Sequence, residues 1–384
     1  MKLFNVINES NSSNFKKLIT PDIAKLGNIF KKEGHEIRIV GGAVRDAVLG
    51  KTPKDIDLAT TATPAEMISL AQNNNLKYIE TGLQHGTITV VINGEPYEIT
   101  TLRIDTETDG RHATVEWTRS FKEDAARRDL TFNAMSIDMQ GNLYDYFGGV
   151  QDLKKGSAKF VGNTEKRIEE DYLRILRYFR FLGKQPNPSE NIEDLNKIKQ
   201  RAHGLHNISG ERIWAELSKI LSGNNIQLIL TQMQKSGVLN AIGIDKDDFS
   251  NAEKTTRLGA DPITTLCHLL KNEFSLTKIN DRYKLTKKEM QTGIYILAHA
   301  EINMKENKWW QERLVLWNDD RSTLIQLALF NHDSPLSQEI EKFTIPTFDV
   351  TGKDLIQQGY KPGPQLGQEL KRQKQEWFEK MFKR

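Results

Sequence analysis

The chain of 384 residues contains a single cysteine, Cys267, so neither a disulfide framework nor a thiolate zinc site can be built from it. It also lacks any uninterrupted apolar stretch near the roughly 18 residues that span a bilayer, and no membrane segment is expected. Charge of one sign is missing too. Its 54 Lys and Arg residues nearly balance 51 Asp and Glu, leaving a net +3, so any site for a polyanion must be local. The strongest local bias lies at the end, where Lys371 to Arg384 hold six basic and two acidic side chains. Internal repeats and low-complexity segments are absent. With 38% hydrophobic and 27% charged residues, the composition excludes a disordered chain and suits two or three packed units. The first twenty residues carry Lys2, Lys16 and Lys17 against Glu9, with no arginine and no apolar block, which fits neither a secretory signal nor a good transit peptide. A cytoplasmic location is expected, with a mitochondrial one left open through an atypical N-terminus.

Short β-rich runs with turn signals fill the chain up to about Gly162, among them Ile37 to Val40 before Gly41-Gly42. Thr87 to Ile92 and Tyr97 to Leu102 flank Asn93-Gly94, the pair a type I′ turn requires because both of its central residues need positive φ, and a hairpin is predicted there. Beyond Thr164 the β-rich runs nearly vanish. Stretches of 3.6 periodicity take over, such as Arg167 to Leu182 and Glu211 to Leu221, and Gly183 to Glu190, with Pro186 and Pro188, reads as a loop between helices. The pattern predicts an α+β fold, a mixed-sheet head followed by an all-helical remainder.

Between Ile37 and Asp57 the order is strand, Gly41-Gly42, a short helix through Leu49, a Gly50 stop, and Asp55-Ile56-Asp57. Glycines entering a helix let backbone N–H groups approach a phosphate, and Arg45, one turn in, adds a cation. The spacing matches neither the dinucleotide GxGxxG nor the P-loop GxxxxGK[ST]. Asp55 and Asp57 are two apart, so on a strand both carboxylates would leave one face while Ile56 points into the core. Such a pair can hold Mg²⁺, which would activate an attacking 3′-hydroxyl and neutralise a leaving pyrophosphate. Each pattern alone is common; the two within twenty residues are rare.

These residues, Gly41-Gly42-Ala43-Val44-Arg45-Asp46 and Asp55-Ile56-Asp57-Leu58, resemble the head of the polymerase-β-like nucleotidyltransferases, in the class II tRNA nucleotidyltransferase family. Further blocks follow in the family's order: Thr81 to Thr87, Tyr97 to Arg103, Arg127 to Met135, Glu170 to Phe181 and Ser209 to Trp214. Val350 to Leu355 and Lys361 to Gly367 resemble its tail. The resemblance covers about residues 20 to 375 and is weak between about 225 and 345.

The resemblance implies a nucleotidyltransferase head over 1–162, a helical neck for nucleotide selection over 163–236, and a helical body and tail binding tRNA over 237–384. It implies addition of C, C and A to the tRNA 3′ end from CTP and ATP. Gly41, Gly42 and Arg45 would hold the triphosphate. Arg128 and Asp129 would lie near the ribose and phosphates, with Asn133 in support. A third carboxylate beside Asp55 and Asp57 is Glu98, if the second hairpin strand runs beside them, with Glu95 as its competitor. The run from Asp105 to Trp117 has turn composition and is similar to the family's mobile loop. On a continuous helix from Arg167 to Leu182, Asp171, Arg174, Arg177 and Arg180 would form one stripe at i+3 steps, with Leu173, Leu176 and Phe179 in the core. A carboxylate that accepts from an exocyclic amine, beside a guanidinium that donates to a ring nitrogen, fits cytosine and adenine and mismatches uracil and guanine. Arg177 and Arg180 would support that pocket.

The rivals are a poly(A) polymerase of the same superfamily, a CC-only or A-only enzyme, and a non-catalytic tRNA-binding protein. No phosphohydrolase metal set is expected, since the only His-Asp dipeptide is His332-Asp333. Trp309, Trp310 and Trp317 are expected in the core, because helical bodies usually bury their tryptophans. The basic end and the Gly352 and Gly363 turns are the candidates for gripping tRNA phosphates.

Overall fold

The structure is a computed structural model that describes residues 9–108 and 113–382. Nine strands are described: β1 (Ile37–Val40), β2 (Asp57–Thr60), β3 (Lys77–Gly82), β4 (Thr87–Ile92), β5 (Glu95–Thr101), β6 (Arg103–Thr108), β7 (Ala113–Trp117), β8 (Ser136–Ile137) and β9 (Leu143–Tyr144). Seven of them form one sheet in the order β3-β4-β5-β2-β1-β8-β9. Only the β2–β5 pair is parallel, so the sheet is mixed. All four residues of β1 are buried, as expected of a central strand. The β4–β5 hairpin closes from Ile92 to Glu95 across Asn93 and Gly94, whose φ values of 52° and 90° are those the turn demands.

The run from Asp105 to Trp117 is not a plain loop. Most of it pairs as the antiparallel ribbon β6–β7. Asp109, Gly110, Arg111 and His112 lie outside the described residues.

From Thr164 onward the described regular elements are helices. Two compact units result. One runs up to Ile208 and takes in Gln232–Ile242; the other comprises Ser209–Thr231 and the chain from Gly243. No seam opens near residue 162. Leu130 bridges Phe160, and Phe132 meets Phe181 edge-on at 5.8 Å, so the segment leading into β8 packs against the Leu173–Gly183 helix. In the second unit Ile296, Trp310, Leu314, Leu324, Leu327 and Ile340 pack into another. Trp310 is buried there and Trp309 packs against it, but Trp317 is 55% exposed, contrary to the expectation for it. It follows the end of its helix, where Asn318 adopts a positive φ and the chain leaves the core. Among the described residues no helix is long and apolar enough to cross a membrane.

Candidate active site

The register of β1 against β2 builds the site. Val40 pairs with Asp57, and β1 ends there because Gly41 takes φ 69° and the chain turns into the Gly42–Val48 helix. Asp57 therefore lies directly across from the residue before the Gly41-Gly42 turn. Ile56 and Asp55 have no partner left on β1, so β2 begins at Asp57. The expected strand through Asp55-Ile56-Asp57 is corrected accordingly, and Ile56 is half-buried rather than a core residue.

A Cβ built on Gly41 would lie 3.0 Å from Arg128 Nη1, so glycine permits both the backbone turn and the approach of the guanidinium. Asp57 is exposed as a residue, yet partial desolvation of its carboxyl pushes it above the usual aspartate range; Arg128 opposes the rise and the charge of Asp55 adds to it. A carboxylate with an acidic neighbour and a raised pKa is suited to a divalent cation. Glu98 precedes Ile99, the partner of Leu58, and so runs alongside Asp57 in the sheet. Glu95 lies at the hairpin turn, three residues away. Among the described residues no group of three or more His, Cys, Asp or Glu side chains could hold a metal ion, so Glu98 is not gathered with Asp55 and Asp57 into one.

Arg128 is aimed by Asp124, whose Oδ2 accepts from Nε at 3.3 Å and from Nη2 at 3.1 Å, while Nη1 donates to the Asn133 carbonyl at 3.2 Å. Asp124 also accepts from Arg127 at 2.7 and 2.9 Å. Burial alone would raise its carboxyl, but Arg128 and Arg127 outweigh that and hold it below the usual range. Asp124 was not legible as a site residue, although its position three and four residues before two arginines is the spacing of helical ion pairs.

Asp129 is buried. Its Oδ1 accepts from Leu130 N and Asn133 Nδ2, and its Oδ2 accepts from Arg177 Nε at 2.6 Å, so both oxygens already serve the protein. Asn133 Oδ1 in turn accepts from Arg45 Nη1 at 3.1 Å, and Arg45 also donates to Asp46. Beneath this chain lies Phe181, with the guanidinium carbons of Arg180, Arg45 and Arg177 at 4.2, 5.0 and 5.6 Å from its ring centre.

The helix expected over Arg167–Leu182 is two helices, Thr164–Glu170 and Leu173–Gly183. Asp171 is extended between them, and its Oδ1 accepts from Leu173 N at 3.1 Å, a local turn two residues on, so it lies outside the second helix instead of on a continuous stripe. Tyr172 fills the break. A Cβ on Gly204 would fall 1.9 Å from its ring, so that glycine makes room for it. Arg174, Arg177 and Arg180 do share the second helix, and Leu173, Leu176 and Phe179 are buried as expected. Arg174 donates to Glu170 at 2.7 Å and to the carbonyls of Arg167 and Arg127, each at 3.1 Å, which uses three of its five donors. Glu170 also pairs with Arg167, so it positions Arg174 much as Asp124 positions Arg128.

Residues 37–159 match the family described as Poly A polymerase head domain, and residues 193–243 match that described as probable RNA and SrmB-binding site of polymerase A. The human protein named CCA tRNA nucleotidyltransferase 1, mitochondrial, is 39% identical over 95% of this chain and 88% of its own length. The CCA-adding enzyme of Ligilactobacillus salivarius is 31% identical over 97% of this chain and 94% of its own. Among solved structures, the CCA-adding enzyme of Bacillus stearothermophilus in complex with CTP superposes with a TM-score of 0.74 at 28% identity, covering 92% of this chain and 91% of that one.

Proposed function

The chain belongs to the family of CCA-adding tRNA nucleotidyltransferases, and from that membership and the geometry of the head we propose that it adds C, C and A to the 3′ end of tRNA. The 3′-hydroxyl oxygen attacks the α-phosphorus of CTP or ATP and a new P–O bond forms. The bond to the β-phosphate oxygen breaks, pyrophosphate leaves, and the hydroxyl proton passes to solvent. The observation that carries this reading is the placement of Asp57 across from Val40, beside a glycine turn against which Arg128 is held.

Asp55 and Asp57 are the carboxylates that would hold Mg²⁺, and the raised Asp57 carboxyl, to whose rise the charge of Asp55 adds, fits it. When bound, the ion supplies activation of the hydroxyl and neutralisation of the departing pyrophosphate. Gly41 and Gly42 leave the backbone open to the triphosphate, with Arg45 and Arg128 as its cations. Asn133 braces both arginines and is itself held by Asp129, which also fixes Arg177, while Asp171 and Arg174 read the base, with Arg177 and Arg180 behind them. Glu98 stands beside Asp57 as an outer carboxylate. Binding of CTP by the Bacillus stearothermophilus relative supports the base choice proposed. For location we propose the cytoplasm or the mitochondrial matrix, the human relative being designated mitochondrial.

The test incubates the purified protein and Mg²⁺ with tRNA transcripts ending before CCA, with CTP, ATP or both, and sequences the 3′ ends. Termination after one CCA, needing both nucleotides, is expected. A long A tail on many RNAs would replace this reading with a poly(A) polymerase.

A further inference from the structure

Trp317 is exposed and has two cations near its ring: Lys371 Nζ lies 5.2 Å and the Arg313 guanidinium carbon 5.4 Å from its ring centre. Arg313 is held in place. Its Nε donates to Asp319 Oδ2 at 2.6 Å and to the Tyr295 hydroxyl at 3.3 Å, and that hydroxyl donates to the same carboxylate oxygen at 2.5 Å. Tyr295 stacks on His299 at 4.2 Å, and His299 meets Trp309 at 5.4 Å. Tyr295, His299, Asp319 and Asp320 line a cleft of about 780 Å³, with Lys288 at its edge. All of these residues belong to the unit that does not carry Asp55 and Asp57.

We propose that the Trp317 indole, flanked by Arg313 and Lys371 and two residues before the Asp319-Asp320 lining of this cleft, forms a nucleobase-stacking site that takes an unstacked nucleotide of the bound RNA. The inference rests on the tRNA-modifying function proposed above and names a second contact for the same substrate. An indole more than half exposed offers a π face that any base can cover, and a mobile cation beside it can answer an adjoining phosphate. Lys371, on a flexible side chain, can move from the indole to a phosphate, whereas Arg313 cannot without leaving Asp319. Asp319 and Asp320 give the cleft acceptors for the N–H groups of a base.

Trp317→Ala, Trp317→Phe and Lys371→Ala are compared with the parent in tRNA binding, in CCA addition, and in photocrosslinking to tRNA carrying 4-thiouridine. Trp317 is largely exposed, so these variants should melt with the parent. Trp317→Ala should weaken tRNA binding about five- to 150-fold and raise KM for tRNA, with KM for CTP and ATP unchanged, and Trp317→Phe should recover most of the loss. Lys371→Ala should lower the salt dependence of binding by about one ion. The crosslink should map to the peptide containing Trp317. Parent-like tRNA binding and KM in Trp317→Ala would overturn the site even if CCA addition is confirmed. If the parent adds no CCA, the functional reading fails, and the binding and crosslinking arms still decide whether Trp317 stacks on RNA.

Discussion

Arg177 Nε donates to Asp129 Oδ2 at 2.6 Å, and this ion pair ties the Leu173–Gly183 helix to the segment that carries Arg128. The helix proposed to read the base is thus anchored on the residue next to the arginine proposed to bind phosphate. Arg177→Ala should cost about 2–3 kcal/mol, the worth of a charged hydrogen bond whose partner stays buried, measured by urea unfolding. Arg177→Lys should restore part of it. Burial by itself would raise the Asp129 carboxyl, but Arg177 and the Asn133 and Leu130 hydrogen bonds hold it low. Its stabilisation is therefore present above the ordinary aspartate range and lost as pH falls through the depressed value. Without Arg177 that loss should begin at a higher pH.

Asp124 aims two arginines at once, so its removal should reach the site without touching a substrate. Asp124→Asn keeps the shape and drops the charge. It should raise KM for CTP and ATP about tenfold, a value equivalent to roughly 1.4 kcal/mol of lost orientation. Asp124→Ala should in addition cost about 3–5 kcal/mol of stability, because Arg127 and Arg128 lose their buried partner. Equal KM values in parent and Asp124→Asn would mean that Arg128 finds its place unaided.

Asp57 should titrate above the ordinary aspartate range in the metal-free protein, read by carboxyl carbon NMR. A raised carboxylate pKa means that the charged, metal-binding form is lost earlier as pH falls, so addition of Mg²⁺ should pull the titration down. Arg128→Gln should push it further up, since Arg128 is the charge opposing the rise. Asp55→Ala should abolish nucleotide addition while leaving tRNA binding near normal, and a variant that still extends tRNA would remove the metal assignment.

Arg174→Ala should loosen base choice more than it slows chemistry, raising UTP use relative to CTP by about fivefold or more, the scale of one lost base contact. Glu170→Gln should shift the ratio in the same direction but less, because Arg174 would keep its two carbonyl anchors. An unchanged UTP to CTP ratio in both would refute selection by this helix.

Gly204→Ala should force the Tyr172 ring away, since the added carbon would sit 1.9 Å from it. The break between the two helices would then shift, disturbing Asp171 and Arg174 together. A melting temperature lowered alongside a raised UTP to CTP ratio is expected, and a lowered melting temperature alone would confine Gly204 to packing.

The elements the sequence determined by itself are those whose causes are local. Asn93-Gly94 closes a hairpin because two neighbouring residues tolerate positive φ, and the strand Ile37–Val40 ends where Gly41 can turn. The loop between Gly183 and Ile192 follows from two prolines. Gly41-Gly42, Arg45, Asp55 and Asp57 stand out as candidates because the proposed chemistry of phosphate and metal binding would constrain residues close together in the chain.

Tertiary structure decided the rest. No glycine or proline marks the break at Asp171 and Tyr172; it exists where Gly204, over thirty residues later, makes room for a ring. Asp124 becomes a site residue only because Gly41 of another element admits Arg128. Trp317 is as apolar as Trp310 in composition, yet one packs into the core and the other stays open, because the helix that carries Trp310 ends before Trp317. Periodicity and spacing specify which faces and turns are available to a segment, but what fills the space opposite each face is set by residues distant in sequence, and only the folded chain brings them together.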